Sequence, residues 1–82
     1  MSGLRLYSHP DCHLCEMAVA LVHARGLSEQ MVVVNIEEDD HLLNRYYLSV
    51  PVLQRVDSGA ELFWPFDETE LEDFLQEDAA PG

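Results

Sequence analysis

Apolar and polar residues alternate over Leu4-Arg5-Leu6-Tyr7, the period of a half-buried strand, and Pro10 in the turn from Ser8 to Asp11 prevents that strand from continuing. The period then changes. Leu14, Met17, Ala18, Leu21 and Val22 fall at i, i+3, i+4, i+7 and i+8, one apolar stripe of a helix from Leu14 to Arg25. Gly26 follows where a C-terminal helix cap belongs. Met31-Val32-Val33-Val34-Asn35-Ile36 is a nearly unbroken β-branched run, as in a parallel strand covered on both faces.

A short helix beginning near Asp39 follows the acidic cluster Glu37 to Asp40, turns Leu42, Leu43 and Tyr46 inward and ends by about Tyr47. Val50 to Val56 and Glu61 to Trp64 read as an antiparallel hairpin around the turn Asp57-Ser58-Gly59, and Pro65 stops the second strand. Asp67 and Glu70 have capping-box spacing for a last helix, with Phe66 and Leu71 at the positions of a hydrophobic staple. That helix buries Leu71, Phe74 and Leu75, and Glu77 to Gly82 reads as a frayed acidic tail. The order β-α-β-α-β-β-α makes this an α/β chain whose compact solution is a mixed four-stranded sheet flanked by helices. Residues 1–82 form a single domain with an ordered core of about residues 3–77.

Charge narrows the function. The net charge is −12, with four arginines (Arg5, Arg25, Arg45, Arg55) and no lysine. Nucleic acid and anionic membrane surfaces both require clustered positive charge, so neither is an expected partner. The first ten residues lack a basic n-region and an apolar core, and no apolar run approaches the roughly 20 residues that span a bilayer. The expected compartment is a reducing cytoplasm and the expected state a monomer.

Both cysteines lie in His9-Pro10-Asp11-Cys12-His13-Leu14-Cys15, at C-x-x-C spacing between a strand and a helix. Cysteines so placed in a reducing compartment are more often catalytic or metal-binding than structural. Cys12 falls at the helix N-terminus, where unpaired N–H groups and the helix dipole favour the reactive thiolate. His9 and His13 add positive charge when protonated, and Asp11 opposes it. Cys15, one turn into the helix, is expected to be more buried and to act as the resolving thiol. His23 and His41 read as surface residues without a role. Phe63 and Phe74 are expected in the core, whereas Trp64, Phe66 and Tyr7 fit either the core or the rim of a substrate groove.

Tyr7-Ser8-His9-Pro10-Asp11-Cys12-His13-Leu14-Cys15, followed by Val50-Pro51-Val52-Leu53, resembles a glutaredoxin-like member of the thioredoxin superfamily. More narrowly, C-H-L-C, Arg45 to Leu53 and Trp64-Pro65-Phe66-Asp67 resemble the small bacterial glutaredoxin-like proteins, over essentially Leu4 to Leu75. The resemblance implies a thioredoxin-like fold and a thiol–disulfide oxidoreductase that reduces protein disulfides or glutathione mixed disulfides, serving cell redox homeostasis. It needs no cofactor or metal and admits glutathione as a co-substrate. It also implies a cis Val50–Pro51 bond beside the cysteines, with the Val50 backbone pairing with an extended substrate. The departures concern glutathione. His9 stands where glutaredoxins carry a basic residue, and Trp64-Pro65-Phe66-Asp67 replaces their Gly-Gly-x-Asp, leaving Asp67 and the last helix N-terminus as contacts. His13, as imidazolium, would stabilise the Cys12 thiolate and place the disulfide in the upper half of a range of about −270 to −120 mV.

Two other readings stay open at this stage. Cys12 and Cys15 with a histidine could bind zinc or share an iron–sulfur cluster across a dimer, although zinc wants four ligands. Alternatively, the chain is a thioredoxin-like binding module whose cysteines are not catalytic.

Overall fold

Four short strands carry the fold, and the computed structural model describes residues 3–76 of it. In chain order the elements are β1 (Leu4–Ser8), α1 (His13–Ala24), β2 (Met31–Asn35), α2 (Asp40–Tyr46), β3 (Val52–Arg55), β4 (Glu61–Phe63) and α3 (Glu68–Gln76), with 3-10 turns at Ser28–Gln30 and Ile36–Glu38. This is the β-α-β-α-β-β-α order expected from the sequence. The strands make one mixed sheet in the order β2-β1-β3-β4. β1 runs parallel to β2 and antiparallel to β3, and β3 pairs with β4 as a hairpin. The expected tail from Glu77 lies outside the described residues.

Alternation along the central strands divides the interior in two. Leu4, Leu6 and Leu53 face α1 and α3, packing with Ala18, Val22, Phe66, Leu71 and Phe74. Tyr7 and Val52 face the other way and pack with Ile36 and Tyr46 under α2. Leu6, Val22, Leu53 and Leu71 are fully shielded, each contributing about 1.5–3 kcal/mol of burial.

The helix ends follow local rules. Gly26 takes the left-handed conformation at φ 73°. Its N–H donates to His23 O (2.9 Å) while Leu27 N–H reaches back to Val22 O (3.3 Å), a Schellman closure of α1. At α3, Glu70 N–H donates to Asp67 Oδ1 (2.8 Å) and Asp67 N–H to Glu70 Oε1 (3.3 Å), the reciprocal capping box. Phe66 and Leu71 meet in the core as a staple.

Three expectations about burial fail. β2 is not covered on both faces: it forms an edge of the sheet, and Val32 and Val33 are 62% and 52% exposed. Phe63 is 48% exposed, because it alternates with Leu62, whose side chain packs toward the α1–α3 core. On α1, Leu14 and Met17 stay largely exposed, and the buried line runs through Cys15, Ala18 and Val22.

Candidate active site

The end of β1 sets up the chemistry. After Ser8 the chain turns through His9 to Asp11, and Asp11 adopts a left-handed φ of 58°. Asp tolerates that region better than most residues because its short polar side chain can bond locally. Cys12 comes next as the extended N-cap of α1 (φ −97°, ψ 105°), and its Sγ accepts the Cys15 N–H at 3.2 Å. A sulfur thus occupies the place usually held by a Ser or Asp oxygen, at the positive end of the helix.

Cys12 and Cys15 are joined in a disulfide, with Cα atoms 5.2 Å apart. The two sulfurs are unequally accessible. Cys15 is buried at 4% exposure, whereas Cys12 is half-buried. A cavity of about 550 Å³ opens beside the pair, lined by Ser8, His9, Asp11, Glu16, Val19 and His23 among others. The His9 Nδ1–H donates to the Pro10 carbonyl oxygen at 2.8 Å.

Of the other residues singled out from the sequence, some gather here and some do not. The Val50–Pro51 bond is cis. One register step beyond the Tyr7–Val52 pair sets Pro51 against Ser8, at the cysteine end of the sheet. Pro51 is buried, and its carbonyl accepts Trp64 N–H at 3.2 Å. Val50 lines neither cavity of this region. His13 is exposed at the first position of α1, also away from both cavities. Asp67 lies in a second cavity, of about 610 Å³, with Met17, Leu21, Trp64, Phe66 and Glu68. Its carboxylate caps α3 at the same time. Trp64 is half-buried and meets the buried Phe66 edge-on, with ring centroids 5.0 Å apart.

Sequence reasoning missed three features. Glu16 and His23 line the disulfide cavity. The signal was present, since residues 12, 16, 19, 20 and 23 share one helical face. The third feature is the support under the Val50–Pro51 turn. Ser49 N–H and Val50 N–H both donate to the Tyr46 carbonyl, at 2.8 and 3.0 Å. The Tyr46 hydroxyl donates to Glu61, and its ring stacks on Tyr7 at 4.5 Å. Burial, reinforced by the Glu61 carboxylate, pushes the Tyr46 phenol up to about 12. Arg45 also pairs with Glu61 (3.5 Å), and Tyr7 and Gln54 extend the same network. Among the described residues, no three His, Cys, Asp or Glu side chains are grouped to hold a metal ion.

The family model of the glutaredoxin-like domain (DUF836) matches residues 3–76. The chain belongs to this glutaredoxin-like family. The X-ray structure of target protein XcR50 from X. campestris is 43% identical, with 96% of this chain and all of that one aligned at a TM-score of 0.80. Its solution structure aligns at 0.77 with 43% identity over 99% and 97% of the two chains. Protein Ne2328 from Nitrosomonas europaea is 29% identical over 89% of each chain, with a TM-score of 0.75. No curated protein matches the chain. The glutaredoxin-like chain therefore has the thioredoxin-like fold expected from its sequence, and with its C-x-x-C pair a thioredoxin-like redox role in general terms. No helix among the described residues is long and apolar enough to cross a membrane.

Proposed function

We propose that this glutaredoxin-like chain is a thiol–disulfide oxidoreductase in which Cys12 attacks and Cys15 resolves. The observation that carries this reading is the Cys12–Cys15 disulfide at the mouth of α1, one sulfur accessible and the other buried. In the reduced protein the Cys12 thiolate attacks one sulfur of a substrate disulfide, forming a mixed disulfide and releasing the first substrate thiolate. Cys15 then loses its proton and attacks Cys12 Sγ, closing the internal disulfide and releasing the second thiolate. Two electrons pass from the protein dithiol to the substrate, and the two thiolates take up two protons.

The remaining site residues act around that exchange. The Val50 N–H is taken by the Tyr46 carbonyl, so its own carbonyl is the backbone group offered to an extended substrate beside Pro51. His9 lies in the cavity that the leaving thiolate faces. His13 stands at the helix start beside Cys12, and Asp67 serves the second cavity. The partner is a disulfide-bearing protein, with glutathione as the small-thiol alternative, and the chain works as a monomer in a reducing cytoplasm without a bound cofactor.

Variants of the two cysteines test the assignment. Cys12→Ser is expected to abolish disulfide exchange, and Cys15→Ser to accumulate a mixed disulfide on Cys12, seen by intact-protein mass spectrometry. Exchange that survives Cys12→Ser would refute the roles. Wild-type protein that reduces no disulfide at all would favour a binding module with non-catalytic cysteines.

A further inference from the structure

Two cavities flank α1, and Ala20 lines both. The first holds the disulfide and has Asp11 and Glu16 on its wall. The second has an apolar floor of Met17, Leu21, Trp64 and Phe66, with Asp67 and Glu68 at its edge. All four of these carboxylate side chains belong to exposed residues.

No arginine lines either cavity, and the chain has no lysine. Each arginine is engaged elsewhere: Arg25 with Glu72 (3.4 Å), Arg45 with Glu61 (3.5 Å), Arg55 with Asp57 (2.7 Å) and Arg5 with Gln54 (3.4 Å). The two histidines of the first cavity already have ring partners, His9 at the Pro10 carbonyl and His23 at the Ser28 hydroxyl. Glutathione, whose two carboxylates outnumber its one ammonium, meets carboxylates here and no fixed cation. A positively charged chain meets the complementary field.

Resting on the oxidoreductase reading, we propose that the disulfide partner is a basic polypeptide. Its cystine enters the first cavity, and a large apolar side chain of the same segment enters the second. The geometry sets the spacing. From Cys12, the attacking sulfur, to Leu21 the helix advances about 13 Å, at about 1.5 Å per residue. An extended segment covers that distance in about four residues, at about 3.3 Å each. The recognised pattern is a cysteine flanked by Lys or Arg, with Leu, Phe or Met about four positions away.

The test is a single-turnover reaction of prereduced protein with disulfide-linked peptides, which needs no added reductant. One peptide is basic with the apolar residue, a second replaces Lys and Arg by Glu, and a third keeps the charge but carries Ala at the apolar position. Glutathione disulfide and the uncharged 2-hydroxyethyl disulfide run in parallel. Trp64, the only tryptophan, sits in the second cavity and reports its occupancy by fluorescence.

At low salt the basic peptide is expected to react at least about tenfold faster than the acidic one or glutathione disulfide, the lower end of electrostatic steering. The advantage shrinks at high salt. In Glu16→Gln/Glu68→Gln the basic-to-acidic ratio moves toward one. Only the peptide with the apolar side chain is expected to change Trp64 emission. Equal rates for basic and acidic peptides, glutathione disulfide reacting as fast as the basic peptide, or Trp64 emission indifferent to the apolar residue would overturn the inference while leaving the oxidoreductase reading intact. If the uncharged disulfide and every peptide stay unreduced, both fall together.

Discussion

Replacing Tyr46 by Phe removes one hydroxyl and leaves the stack on Tyr7 in place, so it isolates the polar network beneath the Val50–Pro51 turn. That hydroxyl donates to a Glu61 carboxylate whose side chain is only 14% exposed. A hydrogen bond to a charged group contributes about 1.5–3 kcal/mol. Arg45 and Gln54 still reach Glu61 in the variant, which puts the expected cost at the lower end of that interval near neutral pH.

The pH dependence separates this from a mere packing defect. The folded protein holds the Tyr46 phenol at about 12 against an ordinary 10, through burial first and the Glu61 carboxylate second. Between these values the unfolded chain has lost the proton and the folded chain keeps it, so stability is complete below pH 10 and drains away as pH rises toward 12. At about 1.4 kcal/mol per pH unit, the gap amounts to about 3 kcal/mol. Urea unfolding of wild type and Tyr46→Phe, measured at steps from pH 8 to 12, should give two curves that converge and then cross, because a loss of about 3 kcal/mol exceeds an initial advantage of about 1.5 kcal/mol. The wild type starts more stable and falls faster. Curves that stay parallel across this range would refute the reasoning, since the Tyr46 proton would then not be linked to folding.

Two further outcomes follow from packing and capping. Leu71→Ala removes a fully buried side chain shared by α3 and the main core, and should cost about 2–5 kcal/mol, a fall in Tm of about 10 °C or more by calorimetry. Asp67→Ala deletes the acceptor for Glu70 N–H and should cost about 1 kcal/mol, with Asp67→Asn recovering most of it; an unchanged melt for the Ala variant would argue that the cap contributes nothing.

What was legible in the sequence was what local chemistry decides. Strand alternation, the Gly26 closure, the Asp67–Glu70 box and the Phe66–Leu71 staple each depend on residues a few positions apart, and all formed as read. What escaped depends on long-range order. A β-branched run looks the same in a central strand and in an edge strand, and only the order β2-β1-β3-β4 exposes Val32 and Val33. The side on which Phe63 emerges follows from which face of β4 meets α1 and α3, a choice no short window contains. The apolar arc of α1 is wider than the sheet can cover, so either of two stripes fitted its periodicity. The cysteine pair was legible as a motif. Asp11 was legible beside it, whereas the cavity that sets Asp67 and Glu68 near Met17 and Leu21 exists only once α1 and α3 are placed.

Those carboxylates raise a question of sign at the sulfur itself. An anionic Cys12 has Asp11 beside it and Glu16 one turn on, and both repel a second negative charge. Against them stand the Cys15 N–H that Cys12 Sγ accepts at 3.2 Å and the positive end of a twelve-residue helix. The magnitudes decide the contest. A hydrogen bond to a charged acceptor contributes about 1.5–3 kcal/mol and the helix end about 0.3–1 kcal/mol, both fixed by the backbone and close to the sulfur. Exposed carboxylates act through water and salt, where a charge pair is worth at most about 1 kcal/mol. The backbone terms are larger, so the local geometry favours an anionic sulfur more than the carboxylates oppose it. The same carboxylates, too weakly coupled to oppose the sulfur anion, would act at longer range on the basic partner proposed above. On the proposed roles, backbone geometry would set the reactivity of Cys12 and side-chain charge the choice of partner, so that an acidic chain could hold a reactive sulfur without surrounding it with cations.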